Sequence, residues 1–237
     1  MVSVSSNDTA EAVKITENVF RAVNIALVNE LKLIYEAIGI DGSEVIAAAK
    51  TKPFGYMAFY PGPGLGGHCI PIDPFYLTWK AREHGVPTRF IELAGEINTA
   101  MPRHVVAKLE EALDRRCSKT LGNARILILG IAYKKNVSDI RESPALTLIE
   151  LLERRGAQVA FHDPHVQEIP ATREHAALAG RRAVPLVDGA LAHFDAVLIV
   201  TDHDAVDYSL LATVPLVVDT RNACESRGLH LANVVKA

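Results

Sequence analysis

The sequence contains few cysteines and no long apolar run, and each shortage excludes a class of protein. Three cysteines, Cys69, Cys117 and Cys224, are too few and too widely spaced for a disulfide framework. No stretch approaches the ~20 apolar residues that a transmembrane helix needs. The first residues also lack the basic and apolar regions of a signal peptide. We therefore expect a reducing, cytoplasmic setting.

An excess of charge of either sign is also lacking. The 25 Lys and Arg residues and 28 Asp and Glu residues give a net charge of −3, so we expect no general attraction to nucleic acid or to an anionic membrane. Any anionic ligand must be held by local Lys and Arg side chains. At 237 residues, of which 49% are hydrophobic, the chain can bury a core and form one or two domains.

The first half of the chain shows helical periodicity, with apolar residues recurring at three- and four-residue spacing. Gly39 is expected at the C′ position of the first helix, and Pro102 is expected to divide or kink the last one. Residues 2–6 alternate like a short strand. Helices are predicted over residues 10–39, 43–50, 74–84 and 88–116.

The second half alternates short apolar runs with helical segments, which predicts a doubly wound parallel sheet. Ser143 is expected to cap a helix that has Pro144 at its first position and extends to Arg155. The first strand is followed by Gly130-Ile-Ala-Tyr-Lys134, which is not a dinucleotide-binding Gly-x-Gly-x-x-Gly turn. Strands are predicted over residues 125–130, 156–161, 195–200 and 215–219.

The most informative stretch runs from residue 59 to residue 79, where glycines and prolines precede Cys69 and Asp73 follows four residues later. Glycine lets a backbone approach a ligand closely. A helix is expected to begin near Asp73-Pro74, which places Cys69 at or just before its N-terminus, where the dipole favours a thiolate. A lone cysteine is nevertheless more often a small core residue, and the adjacent His68 is not favoured as its base.

The segment Gly-Gly-His-Cys-Ile-Pro-Ile-Asp-Pro, residues 66–74, resembles the active-site cysteine segment of the UDP-glucose/GDP-mannose (nucleotide-sugar) 6-dehydrogenase family. With Phe-Tyr-Pro-Gly-Pro-Gly-Leu ahead of it, it most resembles the branch acting on UDP-N-acetylglucosamine and UDP-N-acetylmannosamine. The resemblance covers nearly the whole chain. It implies an α/β protein with an all-helical central dimerisation domain, joined by a long helix to a C-terminal doubly wound, Rossmann-like sheet domain.

The resemblance also implies roles for individual residues. Lys14-Ile-Thr-Glu-Asn18 matches a family Lys-x-x-x-Asn segment, whose donors are expected to stabilise an oxyanion at the sugar C6; an arbitrary Lys and Asn at this spacing are usually solvated. The implied catalytic residues are Cys69, Lys14, Asn18 and Asp73. The implied substrate-binding residues are Tyr60, Gly62, Gly64, Leu65, Gly66, Tyr133, Lys134 and Arg221.

Arg141 lies in the family signature at residues 139–144 and is expected to reach the pyrophosphate of NAD, with Cys69 beside the cofactor. No histidine spacing resembles a metal site. The implied reaction is a four-electron oxidation of a UDP-hexosamine C6 alcohol, that of UDP-N-acetylglucosamine being favoured, to the carboxylate with two NAD⁺. Cys69 would form a thiohemiacetal and then a thioester, and Asp73 and Lys14 would handle protons.

A full family member begins with a dinucleotide-binding Rossmann domain, which we expect to be missing here. We expect residues 1–9 to be a remnant of that domain's sheet, 10–117 the central domain, and 118–237 the UDP-sugar-binding domain. A homodimer through the long helix is also expected. Two alternatives stay open: a catalytically inactive, dimeric UDP-sugar-binding module and, less well supported, an unrelated cysteine hydrolase.

Overall fold

A computed structural model describes residues 3–187 and 189–237. These residues form two compact units. The helical unit contains residues 3–61 and 67–100, and the sheet unit contains residues 62–66 and the described part of 101–237. The glycine-rich segment 62–66 therefore belongs to the sheet unit, whereas Cys69 belongs to the helical unit.

The helical unit is built from α1 (Asn7–Ala37), α2 (Gly42–Ala49), α3 (Cys69–Glu83) and the first part of α4 (Arg89–Cys117). Capping explains two of the starts, because the Ser6 hydroxyl accepts the Thr9 N–H and the Asp41 carboxylate accepts the Ser43 N–H. Gly39 has φ 76° just after α1, as predicted for a C′ glycine. No helix in the described ranges has both the length and the apolar character to cross a bilayer.

Two predictions for the helical unit are wrong. Residues 3–6 form no strand and instead lead into the N-cap of α1, while Val2 lies outside the described residues. The third helix begins at Cys69 rather than near Pro74, so Pro74 lies inside α3. Pro71 occupies the first turn instead, where a missing N–H costs no intrahelical hydrogen bond.

The sheet unit has five parallel strands in the order β2-β1-β3-β4-β5. The strands are β1 (Arg125–Leu129), β2 (Gln158–His162), β3 (Ala196–Ile199), β4 (Val217–Asp219) and β5 (Val234–Lys236), and α5 (Pro144–Arg154) connects β1 to β2. The predicted Ser143 cap is confirmed, since its hydroxyl accepts the Ala145 N–H. The predicted parallel sheet is also confirmed, but β5 was not predicted.

Both faces of this sheet are covered. Ile126 and Ile128 of β1 pack into one buried cluster with residues of α4 and α5. Leu127 and Leu129 pack into a second cluster on the opposite face, with short 3₁₀ turns that include Tyr208. Continuous burial of a strand on both faces is typical of parallel sheets, and it explains the unbroken apolar run of β1.

The chain reverses its direction of winding at β1, which pairs with β2 on one side and with β3 on the other. Ligands of such sheets bind beyond the carboxyl ends of the strands at this switch point. The segments that leave β1 and β3 there begin at Gly130 and Val200. They define the edge of the sheet on which a ligand site is expected.

Candidate active site and nucleotide site

Three of the predicted catalytic residues meet in the helical unit. The Asn18 amide donates to Asp73 Oδ2 at 2.8 Å, and the Lys14 ammonium lies 3.5 Å from the same oxygen. Asn18 is buried, whereas the Lys14 side chain is 65% exposed. Because an amide nitrogen carries two hydrogens and an ammonium three, both groups keep donors for a ligand.

Cys69 is the first residue of α3 and is partly exposed. Asp73 follows it at the i+4 position, so the two side chains share one face of the helix at roughly 5–6 Å between Cβ atoms. Asp73 in turn contacts α1 through Asn18 and Lys14. The structure therefore gathers a thiol, a carboxylate, an amide and an ammonium along the contact between α1 and α3.

A buried pair of amides fixes α1 in the unit. Asn29 donates to the Asn98 side-chain oxygen at 2.9 Å, and Asn98 donates to the Ala22 carbonyl at 3.0 Å. Buried polar groups that are satisfied in this way hold helices in one register. The pair lies on the helix that supplies Lys14 and Asn18, and the residues that make it were not identified from the sequence.

In the sheet unit, the glycine-rich segment lies against predicted substrate residues. A Cβ added at Gly62 would lie 2.6 Å from a guanidinium nitrogen of Arg221, and one added at Gly66 would lie 2.7 Å from the Tyr133 Cβ. Glycine is required at Gly66 because its nearest neighbours are a Cβ and the Glu142 carbonyl, at 3.0 Å, neither of which is the end of a flexible side chain. Gly62, Gly66, Tyr133 and Arg221 are thus brought together.

Tyr133 and Lys134 lie on the turn that leaves β1. The Tyr133 N–H donates to the Asp139 carbonyl at 2.9 Å, and the Lys134 ammonium lies 5.4 Å from the Tyr133 ring centroid. Arg141 donates from Nε and Nη2 to the two oxygens of the Asp139 carboxylate. Hydrogen bonding by Arg141 lowers the Asp139 pKa below its ordinary value.

Asp163, which follows β2, was missed by the sequence reasoning. It is fully buried and accepts the N–H groups of Ile131 and Ala132 at 2.7 and 3.0 Å and His203 Nε2 at 3.1 Å. Burial opposes its ionisation, but these hydrogen bonds outweigh burial and hold its pKa below the ordinary value. The available signal was an acid placed directly after a predicted strand.

The sheet unit does not fit the dinucleotide that the family resemblance implies. In a dinucleotide fold, N–H groups of the first β–α turn face the pyrophosphate. Here the N–H groups of Ile131 and Ala132 donate to the Asp163 carboxylate, so they are not available to a pyrophosphate. No hydride step is therefore assigned to this unit.

Models of two domains from one family match the chain. The central domain of the UDP-glucose/GDP-mannose dehydrogenase family matches residues 8–100, and the UDP binding domain of that family matches residues 127–226. The chain belongs to this family. The two matches follow one another in sequence and together include the α1–α3 cluster, the turn after β1 and Arg221.

The proteins that are similar to this chain include several named as nucleotide-sugar dehydrogenases. An NDP-N-acetyl-D-galactosaminuronic acid dehydrogenase of Ralstonia nicotianae is 35% identical over 99% of this chain and 51% of its own length. A UDP-N-acetyl-D-glucosamine 6-dehydrogenase of Pseudomonas aeruginosa is 39% identical over 72% of this chain and 40% of its own. The solved UDP-D-ManNAc dehydrogenase of Pyrococcus horikoshii, 34% identical, aligns with a TM-score of 0.77 over 91% of this chain and 48% of its own. The chain thus spans about half the length of these relatives.

Proposed function

We propose that this chain supplies the thiol-bearing and nucleotide-binding parts of an NAD-dependent UDP-sugar 6-dehydrogenase. The observation that carries the proposal is the α1–α3 cluster, in which Asp73 contacts Asn18 and Lys14 one helical turn from Cys69. Family membership alone would be compatible with a chain that has lost these groups. Their mutual contacts support a functional thiol site.

The proposed substrate is a UDP-N-acetylhexosamine, with UDP-N-acetylglucosamine favoured. Support comes from the match to a UDP binding domain and from the close approach of Gly62 and Gly66 to Arg221 and Tyr133. A guanidinium and an ammonium suit a diphosphate, and Tyr133 offers a ring for stacking. The predicted roles of Tyr60, Gly64, Leu65 and Lys134 in binding the substrate remain proposals of the same kind.

The chemistry proposed for the chain's own residues begins with an aldehyde at the sugar C6. The Cys69 thiolate adds to the carbonyl carbon, and the carbonyl oxygen becomes an oxyanion. The free donors of Lys14 and Asn18 stabilise that oxyanion, while Asp73 accepts or returns a proton. Loss of a hydride from the thiohemiacetal carbon would leave a Cys69 thioester, from which water would release the acid, because a thiolate is a good leaving group.

The oxidation steps need a hydride acceptor, which the family resemblance implies is NAD. Since the sheet unit does not fit it, we propose that the acceptor is held mainly by protein that the present sequence does not include. Arg141 remains a proposed contact to its pyrophosphate. The relatives are about twice as long as the segment they share with this chain.

The test of the enzymatic role is NADH formation, followed by absorbance, with UDP-N-acetylglucosamine, UDP-glucose and NAD⁺. We expect no turnover from the chain alone and measurable turnover after a separately produced NAD-binding domain of a relative is added. Cys69→Ala should abolish that turnover, while Cys117→Ala should not. Reconstituted mixtures that bind both ligands but never form NADH would contradict the proposal.

A second candidate function is that of an inactive UDP-sugar-binding module. It is favoured by the poor fit of the sheet unit to a dinucleotide. Isothermal titration calorimetry with UDP and UDP-N-acetylglucosamine separates the candidates when it is combined with the reconstitution. Binding without turnover in any pairing supports the module, and binding with turnover supports the enzyme.

A further inference from the structure

A buried histidine holds the turn that carries Tyr133 and Lys134. His203, in the segment that leaves β3, has a fully buried side chain. Its Nδ1 accepts the Asn136 backbone N–H at 3.0 Å, and its Nε2 lies 3.1 Å from the Asp163 carboxylate. An Nδ1 that accepts leaves the hydrogen on Nε2, so His203 donates to Asp163 while it accepts from Asn136.

The same turn is held from several sides. Asn136 has φ 60°. Its side-chain amide nitrogen donates to the Asp204 carboxylate at 2.7 Å, and the Asp204 backbone N–H donates to the Asn136 side-chain oxygen at 3.0 Å. The Thr201 hydroxyl donates to the Ala132 carbonyl at 2.7 Å. Residues from the ends of β2 and β3 therefore determine where the backbone between Ala132 and Asn136 lies.

That backbone segment holds Tyr133 so close to Gly66 that no side-chain atom fits between them. A single added Cβ on Gly66 would come within 2.7 Å of the Tyr133 Cβ. A change in the path of the turn would therefore move the tyrosine and the neighbouring Lys134 relative to the glycine-rich segment. His203 reaches neither of them directly and acts on them through the Asn136 N–H.

We propose that His203 is a positioning residue for nucleotide-sugar binding, which sets the conformation of the turn from Tyr133 to Asn136 through its Nδ1. The ligand class is the uridine diphosphate part of the substrate, so the inference rests on the proposed function. Asp163 keeps the His203 imidazole in the tautomer that carries its hydrogen on Nε2. The His165 ring packs against the His203 ring, with 4.9 Å between their centroids. This role explains why an imidazole lies in the interior of the sheet unit.

Two substitutions separate the two nitrogens of the ring. In His203→Asn the amide oxygen lies near the position of Nδ1 and can still accept the Asn136 N–H, whereas His203→Gln places its amide near Nε2 and loses that acceptor. By calorimetry with UDP on the whole chain, we expect His203→Gln to raise Kd about tenfold, as for one lost hydrogen bond. His203→Asn should stay within about threefold of the wild type, and exposed His193→Gln is the matched control.

A double-mutant cycle with Lys134→Ala tests whether the effect passes through the turn. If His203 acts by positioning, the loss in His203→Gln should shrink in the Lys134→Ala background, whereas general destabilisation would give additive losses. Thermal unfolding of each variant shows whether it is folded at the temperature of titration. Hydrogen exchange of residues 132–139 should be faster in His203→Gln than in His203→Asn.

The outcomes distinguish the two proposals. A wild-type chain that does not bind UDP would overturn the proposed function and the ligand role of His203 together. A wild-type chain that binds UDP, with equal affinities in His203→Gln and the wild type or with additive losses in the cycle, would overturn the positioning role alone. Loss of affinity in His203→Asn equal to that in His203→Gln would also overturn it.

Discussion

Asn18 illustrates how much a single buried amide can determine. The Asn18 amide donates to Asp73, which lies 55 residues further along the chain, and so links α1 to α3. The same hydrogen bond fixes the orientation of the Asp73 carboxylate. A hydrogen bond to a charged acceptor contributes more to stability than one between neutral groups. The residue therefore has a measurable structural effect in addition to its proposed role towards an oxyanion.

Asn18→Ala is expected to lower the free energy of unfolding by about 1–3 kcal/mol, because Asp73 would lose its buried amide donor. Urea unfolding followed by circular dichroism measures the change. Asn24→Ala is the matched control: among the described residues this side chain donates to the Phe20 carbonyl of its own helix alone, and its loss should cost less than about 0.5 kcal/mol. Equal losses in the two variants would mean that the contact with Asp73 adds no stability.

At the scale of elements, the glycine-rich segment and the turn after β1 act as one assembly. Gly66 faces a Cβ and a backbone carbonyl, neither of which can swing aside, whereas Gly62 faces the flexible end of Arg221. The same substitution should therefore have different consequences at the two positions.

Gly66→Ala should weaken UDP-sugar binding more than tenfold, because the segment or the Tyr133 turn must shift; Gly62→Ala should weaken it less, by displacing the Arg221 guanidinium. Calorimetry with UDP-N-acetylglucosamine measures both. Gly42→Ala is the control, since its added Cβ would meet only an ordinary contact at 3.4 Å. Affinities that rank Gly62→Ala as the more damaging variant would refute this reading of the segment.

The elements also show what the sequence can predict. Periodicity and caps identified α1, α2, α4 and α5, because apolar spacing and the residues Ser143 and Pro144 are local signals. The start of α3 was predicted too far along the chain because Pro74 was assigned to the first turn, whereas the helix begins at Cys69 and has Pro71 in its first turn. β5 was not predicted because its apolar run consists of Val234 and Val235 alone, whereas β4, a strand of equal length, lies in a longer apolar run at residues 216–218.

The candidate sites also differ in whether their residues are close together in the sequence. The roles of the residues around Cys69 were predicted from one contiguous segment with a family resemblance, and they stay predictions. The set Asp163, His203 and Asn136 could not, since its members lie 40 and 67 residues apart and meet only when parallel strands align their carboxyl ends. Residues separated in this way give no local spacing to recognise.

At the scale of the whole molecule, acid should destabilise the chain. Asp163 keeps a lowered pKa although burial opposes its ionisation, and burial is likewise outweighed by hydrogen bonds at Glu150 and Asp195, whose pKa values are also lowered. A carboxyl group whose pKa is lower in the folded state stabilises the fold above its unfolded pKa of about 4. That stability is lost as the pH falls through the folded-state pKa.

Urea midpoints measured between pH 7 and pH 3 should therefore fall mainly below about pH 4 to 5. Asp163→Asn should lower the midpoint at pH 7 and make its decline with acid shallower. Asp8→Asn, at the exposed start of α1, serves as a control for loss of one carboxyl. A wild-type midpoint that is flat down to pH 3 would contradict the assignment.

A homodimer through α4 is a further proposal at this scale. Phe90 and Leu93, near the start of α4, are 80% and 54% exposed. Exposed apolar side chains that lie together are typical of interaction surfaces. The partner we propose is a second copy of this chain. On α3 of the same unit, the side chains of Phe75, Tyr76 and Trp79 are also exposed.

Sedimentation velocity at micromolar concentration should show a dimer for the wild type and a larger monomer fraction for Phe90→Ser with Leu93→Ser, because the apolar contact would be lost. Val187→Ser, at an apolar position of the sheet unit that is 52% exposed, should leave the distribution unchanged. A monomeric wild type would refute the dimer, and a dimer that survives the double substitution would place its interface elsewhere.

The three cysteines make the chain convenient for chemical labelling. Burial raises the pKa of Cys224 to about 12. Burial and the negative charge of Asp195 raise the pKa of Cys117. Both thiols are therefore mostly protonated and slow to react near neutral pH. A fluorescent maleimide added at neutral pH should then report chiefly on Cys69. Protection of that label site by UDP-sugars could be followed in the natural sequence, without first replacing the other two cysteines.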